Sequence, residues 1–186
     1  MRKFLVVVVL LAVAVTGCAK KSSEPPVPPE IKAARKMLIE GTVFLKQGEV
    51  VKAVEAYATA IKTAPNYFEA YYMLGETFLN LKQYPQAAAI MGSAVRQFPD
   101  NGLAYYLLSV ADQGAGQTLP AIVAARRSLE LFVAVKDEQG TKRSALLLGV
   151  LVQTAKQQVA DEAAVSAASE AQKALEKIDI PVAENK

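Results

Sequence analysis

The sequence contains no histidine, and a single cysteine in 186 residues. Without an imidazole there is no Ser-His or Cys-His nucleophile, no HExxH zinc site and no general base poised near neutral pH without special tuning. One cysteine excludes an intrachain disulfide and a cysteine cage for zinc. Charge of one sign is also scarce: 21 Lys and Arg stand against 18 Asp and Glu, a formal +3, which falls to +1 once Arg2 and Lys3 are set aside. That balance lacks the clustered basic face of a nucleic-acid binder. No catalytic residue, metal site or cofactor is expected. An enzyme built from this alphabet would depend on carboxylates, lysine, tyrosine or a hydroxyl.

Only one long apolar run is present, Phe4–Val15, and it follows the basic pair Arg2-Lys3 and precedes small residues and Cys18. This is the layout of a secretory signal. Twelve residues of helix reach about 18 Å, short of a hydrocarbon core of about 30 Å, so the run does not make a permanent span. Val15-Thr16-Gly17-Cys18 resembles the lipobox of bacterial lipoproteins, which implies cleavage after residue 17 and acylation of Cys18, with palmitate among the chains. Ala19, in the place where an aspartate favours inner-membrane retention, implies the outer membrane, facing the periplasm, if the host has two membranes. The polar, proline-rich stretch Ala19–Glu30 reads as an extended tether of about 37 Å. Residues 1–17 are therefore the leader and residues 18–30 the lipidated cysteine and tether.

From Ile31 onward apolar residues follow helical spacing, as with Tyr71, Leu74, Gly75 and Phe78. The pattern recurs every thirty-four residues, the mark of stacked repeats. "AYYMLG" at Ala70–Gly75 returns as "AYYLLS" at Ala104–Ser109. Met37, Tyr71 and Tyr105 are in phase, as are Gly41, Gly75 and Ser109, and Phe44, Phe78 and Asp112. A second helix supplies Ala53, Ala87 and Ala121, then Tyr57, Met91 and Ala125, then Ala60, Ala94 and Ser128. Pro65 and Pro99 close two units, and Val133 stands where a third proline is due.

These residues resemble the tetratricopeptide repeat (TPR). The resemblance implies an all-α fold, a right-handed superhelix of antiparallel helix pairs. Its units are residues 34–67, 68–101 and 102–133, within a domain at 31–180. Asp112, where an aromatic is usual, and the glycine-rich turn "GAGQTLP" mark the third unit as irregular. Residues 134–180 are expected to form a degenerate or capping helix pair that breaks around Gln157–Glu162, and 181–186 a short tail.

In such repeats the first helix of each unit lines a concave face that commonly holds a peptide. Tyr71 and Tyr105 fall at the core position, and Tyr72 and Tyr106 turn toward the groove. The resemblance places on that face Arg35, Leu38, Thr42 and Leu45, then Glu69, Tyr72, Glu76 and Leu79, then Leu103, Tyr106, Val110 and Gln113. The Lys/Asn clamp by which some members grip a C-terminal carboxylate is missing, since its places hold Leu38, Thr42, Met73, Leu103 and Leu107. The expected partner is an apolar or amphipathic segment of another protein, bound by a membrane-anchored scaffold of the cell envelope, as in pilus, secretion or outer-membrane assembly. Two alternatives stand beside it. One is a carboxylate-dependent glycan enzyme using Glu69 and Glu76, two turns apart on one helix face. The other is a self-assembling module, with Tyr72 and Tyr106 covered by the C-terminal helices or by a second copy.

Overall fold

The structure, a computed structural model, describes residues 27–176, with side chains as far as Glu170. The leader, Cys18, most of the tether and the tail at 181–186 lie outside the described residues. Seven helices follow in order: α1 Pro29–Lys46, α2 Val50–Thr63, α3 Phe68–Asn80, α4 Tyr84–Gln97, α5 Gly102–Gly114, α6 Thr118–Ala134 and α7 Glu138–Glu176. No strand occurs among the described residues. Consecutive helices pack against each other, and α1, α3, α5 and α7 also touch in series, so the odd-numbered helices share one wall. Pro29 and Glu30, assigned to the tether from sequence, belong to α1. Proline suits the first helical position because the N–H it lacks has no partner there.

The turn inside each unit repeats as faithfully as the helices. Gly48, Lys82 and Gly116, thirty-four residues apart, all have positive φ, at 79°, 56° and 77°. One residue on, Glu49, Gln83 and Gln117 donate N–H bonds of 2.9, 2.9 and 2.8 Å back to the carbonyls of Phe44, Phe78 and Asp112. This six-to-one closure satisfies carbonyls that the helix end leaves free. Lysine occupies the strained left-handed conformation in the middle unit, so the fold holds that shape against residue preference. Between units a different device operates. Ala64 and Phe98, each before a proline, adopt φ/ψ of −138°/82° and −128°/68° and end α2 and α4 there.

Packing within the first two units pairs a glycine with a large side chain. A Cβ on Gly41 would come within 2.5–3.0 Å of three Tyr57 ring atoms, and one on Gly75 would meet the Met91 thioether methyl. Tyr57 and Met91 are fully buried, among alanines at positions 53, 60, 87 and 94. In the third unit the pair is Ser109 and Ala125, both fully buried. The shorter Ala125 leaves space for the serine, whose hydroxyl donates to the Ala121 carbonyl at 2.8 Å. Tyr71 occupies the core as expected, at 7% exposure, whereas Tyr105 is only half-buried.

The C-terminal region departs from expectation. Where a helix pair was anticipated over 134–180, α7 runs unbroken for 39 residues. Its stretch from Ala155 to Glu176 holds no glycine or proline and is rich in alanine, glutamine, glutamate and lysine, so nothing in it specifies a turn. The preceding helix is altered too. With Val133 in place of proline, α6 continues to Ala134 and ends in the six-to-one closure, Asp137 N–H to Phe132 carbonyl at 3.0 Å with Lys136 at φ 58°. Asp137 then caps α7, its carboxylate accepting the Gly140 N–H at 2.9 Å. Ser128 donates to the Gly102 carbonyl at 2.8 Å and lies 2.8 Å from the Ser144 hydroxyl, tying α5, α6 and α7 into one three-helix unit.

Candidate functional site

Helices α1 and α3 diverge enough to leave an open groove of about 690 Å³, lined by Arg35, Leu38, Ile39, Thr42, Val43, Lys46, Tyr67, Glu69, Tyr72 and Met73. Five of the residues placed on the concave face from sequence meet here: Arg35, Leu38, Thr42, Glu69 and Tyr72. The floor is apolar. Leu38 is 8% exposed and belongs to the first core cluster, whereas Ile39 and Val43 are open to solvent at 62% and 46%.

The Thr42 and Tyr72 hydroxyls on this floor are already bonded within the chain. Thr42 donates to the Leu38 carbonyl at 2.8 Å and lies 3.2 Å from the Tyr57 hydroxyl. Tyr72 donates to the Glu76 carboxylate at 3.0 Å. Burial, then the hydrogen bond to Glu76 and its negative charge, raise the Tyr72 pKa above the ordinary tyrosine value, while the Arg143 charge acts in the opposite sense. The hydroxyl therefore stays protonated and held along its own helix. Charged groups sit at the rim: Arg35 and Lys46 on α1, Glu69 on α3, all exposed.

The remaining expected residues do not join this groove. Leu45 packs against the first core cluster, and Leu79, Leu103 and Tyr106 against the second. Leu103 also lines a separate cavity of about 450 Å³ beside the 98–102 turn and the end of α6. Val110 and Gln113 are half-buried on α5. Over the Tyr106 ring stands the Arg143 guanidinium of α7, 5.8 Å from the centroid. The C-terminal helix thus reaches the far end of the concave wall, while the α1–α3 groove stays open among the described residues.

Ile39, Val43, Lys46 and Tyr67 were not anticipated, whereas Met73 had been named only as the occupant of a clamp place. Sequence reasoning assigned one stripe of α1 to the groove, Arg35, Leu38, Thr42 and Leu45. The wall curves, so the adjoining stripe Ile39, Val43 and Lys46 faces the opening as well. Its signal was available: two aliphatics four residues apart, outside every repeating core position. Of the two carboxylates considered for glycan chemistry, Glu76 is engaged by Tyr72 and Glu69 stands exposed at the rim. Among the described residues no three Asp, Glu, Cys or His side chains gather where they could hold a metal ion.

The fold and its wall of odd-numbered helices define an α-solenoid of stacked helix hairpins. A family model, the tetratricopeptide repeat, matches residues 44–117, and over that stretch the chain is similar to tetratricopeptide repeat proteins. Similar solved structures include the first TPR domain of Spaghetti (RPAP3) bound to the HSP90 peptide SRMEEVD. It is 19% identical, with 67% of this chain and 94% of that one covered and a TM-score of 0.58. The TPR2B domain of yeast Sti1, in a complex with pHsp70, is 20% identical over 66% and 98%, with a TM-score of 0.60. The Arabidopsis OM64 TPR domain is 23% identical over 67% and 98%, with a TM-score of 0.56. No curated protein matches the sequence. At these identities the likeness is one of fold.

Proposed function

We propose that this protein is a non-enzymatic scaffold of the bacterial cell envelope. It is anchored through acylated Cys18 and holds an apolar or amphipathic segment of another protein against its concave face. The observation that carries this reading is the α1–α3 groove: an open apolar floor on which the Thr42 and Tyr72 hydroxyls are already bonded within the chain, with Arg35, Lys46 and Glu69 at its rim. Such a floor offers little to a sugar or a nucleotide, which needs unspent donors and acceptors. It suits aliphatic or aromatic anchors, each contributing about 1.5–3 kcal/mol on burial, with the rim charges setting register. Two of the similar solved domains are complexes, one with an HSP90 peptide and one with pHsp70, which supports a peptide as ligand here. Leucine, threonine and methionine in the places of the carboxylate clamp argue against an acidic C-terminal tail.

The basic, apolar and small-residue order of the leader and the lipobox-like Val15-Thr16-Gly17-Cys18 support an envelope address, the outer membrane in a two-membrane host, where such a scaffold would serve assembly of pili, secretion channels or outer-membrane proteins. The test is crosslinking in intact membranes. Tyr72→Ala combined with Tyr106→Ala is expected to keep helicity and lose at least one crosslinked protein that the parent chain captures. An unchanged set of crosslinked proteins refutes the groove assignment. Cys18→Ser is expected to abolish acylation and release the chain from membranes; retention with acyl label intact refutes the anchor.

A further inference from the structure

The open end of the solenoid lacks the polar cover that terminal helices of repeat stacks ordinarily carry. Along α7 the inward stripe of Gly140, Ser144 and Leu151 is buried, and the outward residues Leu146 and Val150 are 73% and 55% exposed. Between them lies Gly149. A Cβ added to Gly41, Gly75 or Gly140 meets a ring or a thioether, whereas one added to Gly149 meets nothing within 4 Å. A solvated glycine in mid-helix weakens the helix relative to alanine, and no described residue uses the space it leaves. Among the described residues the second half of α7 is equally uncovered: every residue from Lys156 to Glu170 is exposed. A lone helix of that length is marginal in water. One helix therefore carries two uncovered surfaces.

The geometry points to a second copy of this chain as the cover, with the two α7 helices paired antiparallel. The outward residues Leu146, Val150, Gln153, Gln157, Ala160 and Ala164 are spaced alternately four and three apart, the seam of a two-helix coil, and all six are exposed. The large residues lie in the first half and the small ones in the second. An antiparallel pair centred midway between Gln153 and Gln157 sets Leu146 against Ala164 of the second copy, Val150 against Ala160, and Gln153 against Gln157. Large then meets small, and amide meets amide. A parallel pair sets leucine on leucine and alanine on alanine, which cannot keep one interhelical distance. Charge adds to this at one place: in the antiparallel register Glu170 of one copy comes opposite residue 140 of the other, within a turn of Lys142. Each projecting half also lies over the bare end of the other stack and covers Gly149.

Two measurements on the full chain decide this. Gln153→Cys and Gln157→Cys chains carrying different tags, co-expressed and mildly oxidised in membranes, are expected to give a mixed-tag disulfide dimer that a parent chain with Cys18 alone does not. Leu146→Glu with Val150→Glu is expected to weaken dimerisation of the detergent-solubilised chain by at least about a hundredfold in sedimentation, with helicity unchanged. A monomer at every concentration, absence of the mixed-tag dimer, or an undiminished dimer in the glutamate variant overturns the pairing. A photoreactive group at position 157 that captures only a different protein does the same. If the glutamate variant fails to fold, the cysteine pair decides alone, since it leaves Leu146 and Val150 in place. Tyr72→Ala with Tyr106→Ala leaves this dimer intact, so the groove and the seam fail or stand separately.

Discussion

Where α1 crosses α2, Gly41 lies under the Tyr57 ring, and where α3 crosses α4, Gly75 lies against Met91; where α5 crosses α6, the pair is Ser109 and Ala125. Each crossing fills one space from two sides, and the sum of the two side chains matters more than either identity. Trading glycine for serine introduces a buried hydroxyl, which is tolerable because the Ala121 carbonyl accepts it. A similar contrast separates the unit boundaries. Pro65 and Pro99 force the residue before them out of helical geometry, so α2 and α4 stop on schedule. Val133 imposes no such stop, and α6 gains an extra turn before reversing through the closure otherwise used inside a unit.

Val133→Pro tests the boundary contrast and should have the largest effect. It removes an N–H from α6 and displaces the turn that starts α7, costing about 3 kcal/mol, read as a lower midpoint in urea unfolding. Pro99→Val should cost far less. Gly41→Ala tests the crossing contrast. The Tyr57 ring is rigid, so a methyl group there should cost about 2 kcal/mol despite alanine's better helix propensity. Gly75→Ala should cost less, because the flexible Met91 end can move aside.

A smaller effect separates Asp112 from its counterparts Phe44 and Phe78. Burial raises the Asp112 pKa above the ordinary aspartate value of 3.8. The folded chain therefore holds that proton to higher pH than the unfolded chain does. Stability falls as pH rises from the ordinary range through the folded value, and is constant above it. Asp112→Asn should raise the melting temperature at pH 7, with a gain that shrinks as the pH falls from the raised folded value toward the ordinary range and stays constant below it. Arg143→Ala should have the least effect, about 0.5 kcal/mol from the lost contact with the Tyr106 ring, seen in the same unfolding assay.

The repeat was readable because its core positions obey a strict local rule: small residues where helices cross, prolines where hairpins end. The site was readable in part. Leu38, Thr42 and Tyr72 were placed by register; Ile39 and Val43 were visible as aliphatics outside the core positions, but only the angle between successive hairpins turns that stripe toward the opening. Tyr105 shows the same limit. It repeats Tyr71 in register yet lies half-buried, as does Met37 at the same place in the first unit, so register alone did not decide burial.

Helix periodicity, the thirty-four-residue interval and the glycine and proline positions are local, and by themselves they determined an all-helical stack of hairpins. Which stripe of α1 opens to solvent and which glycines are filled were decided by the tertiary structure alone. Those outcomes depend on which surfaces meet across helices far apart in the chain, and burial is a property of that meeting.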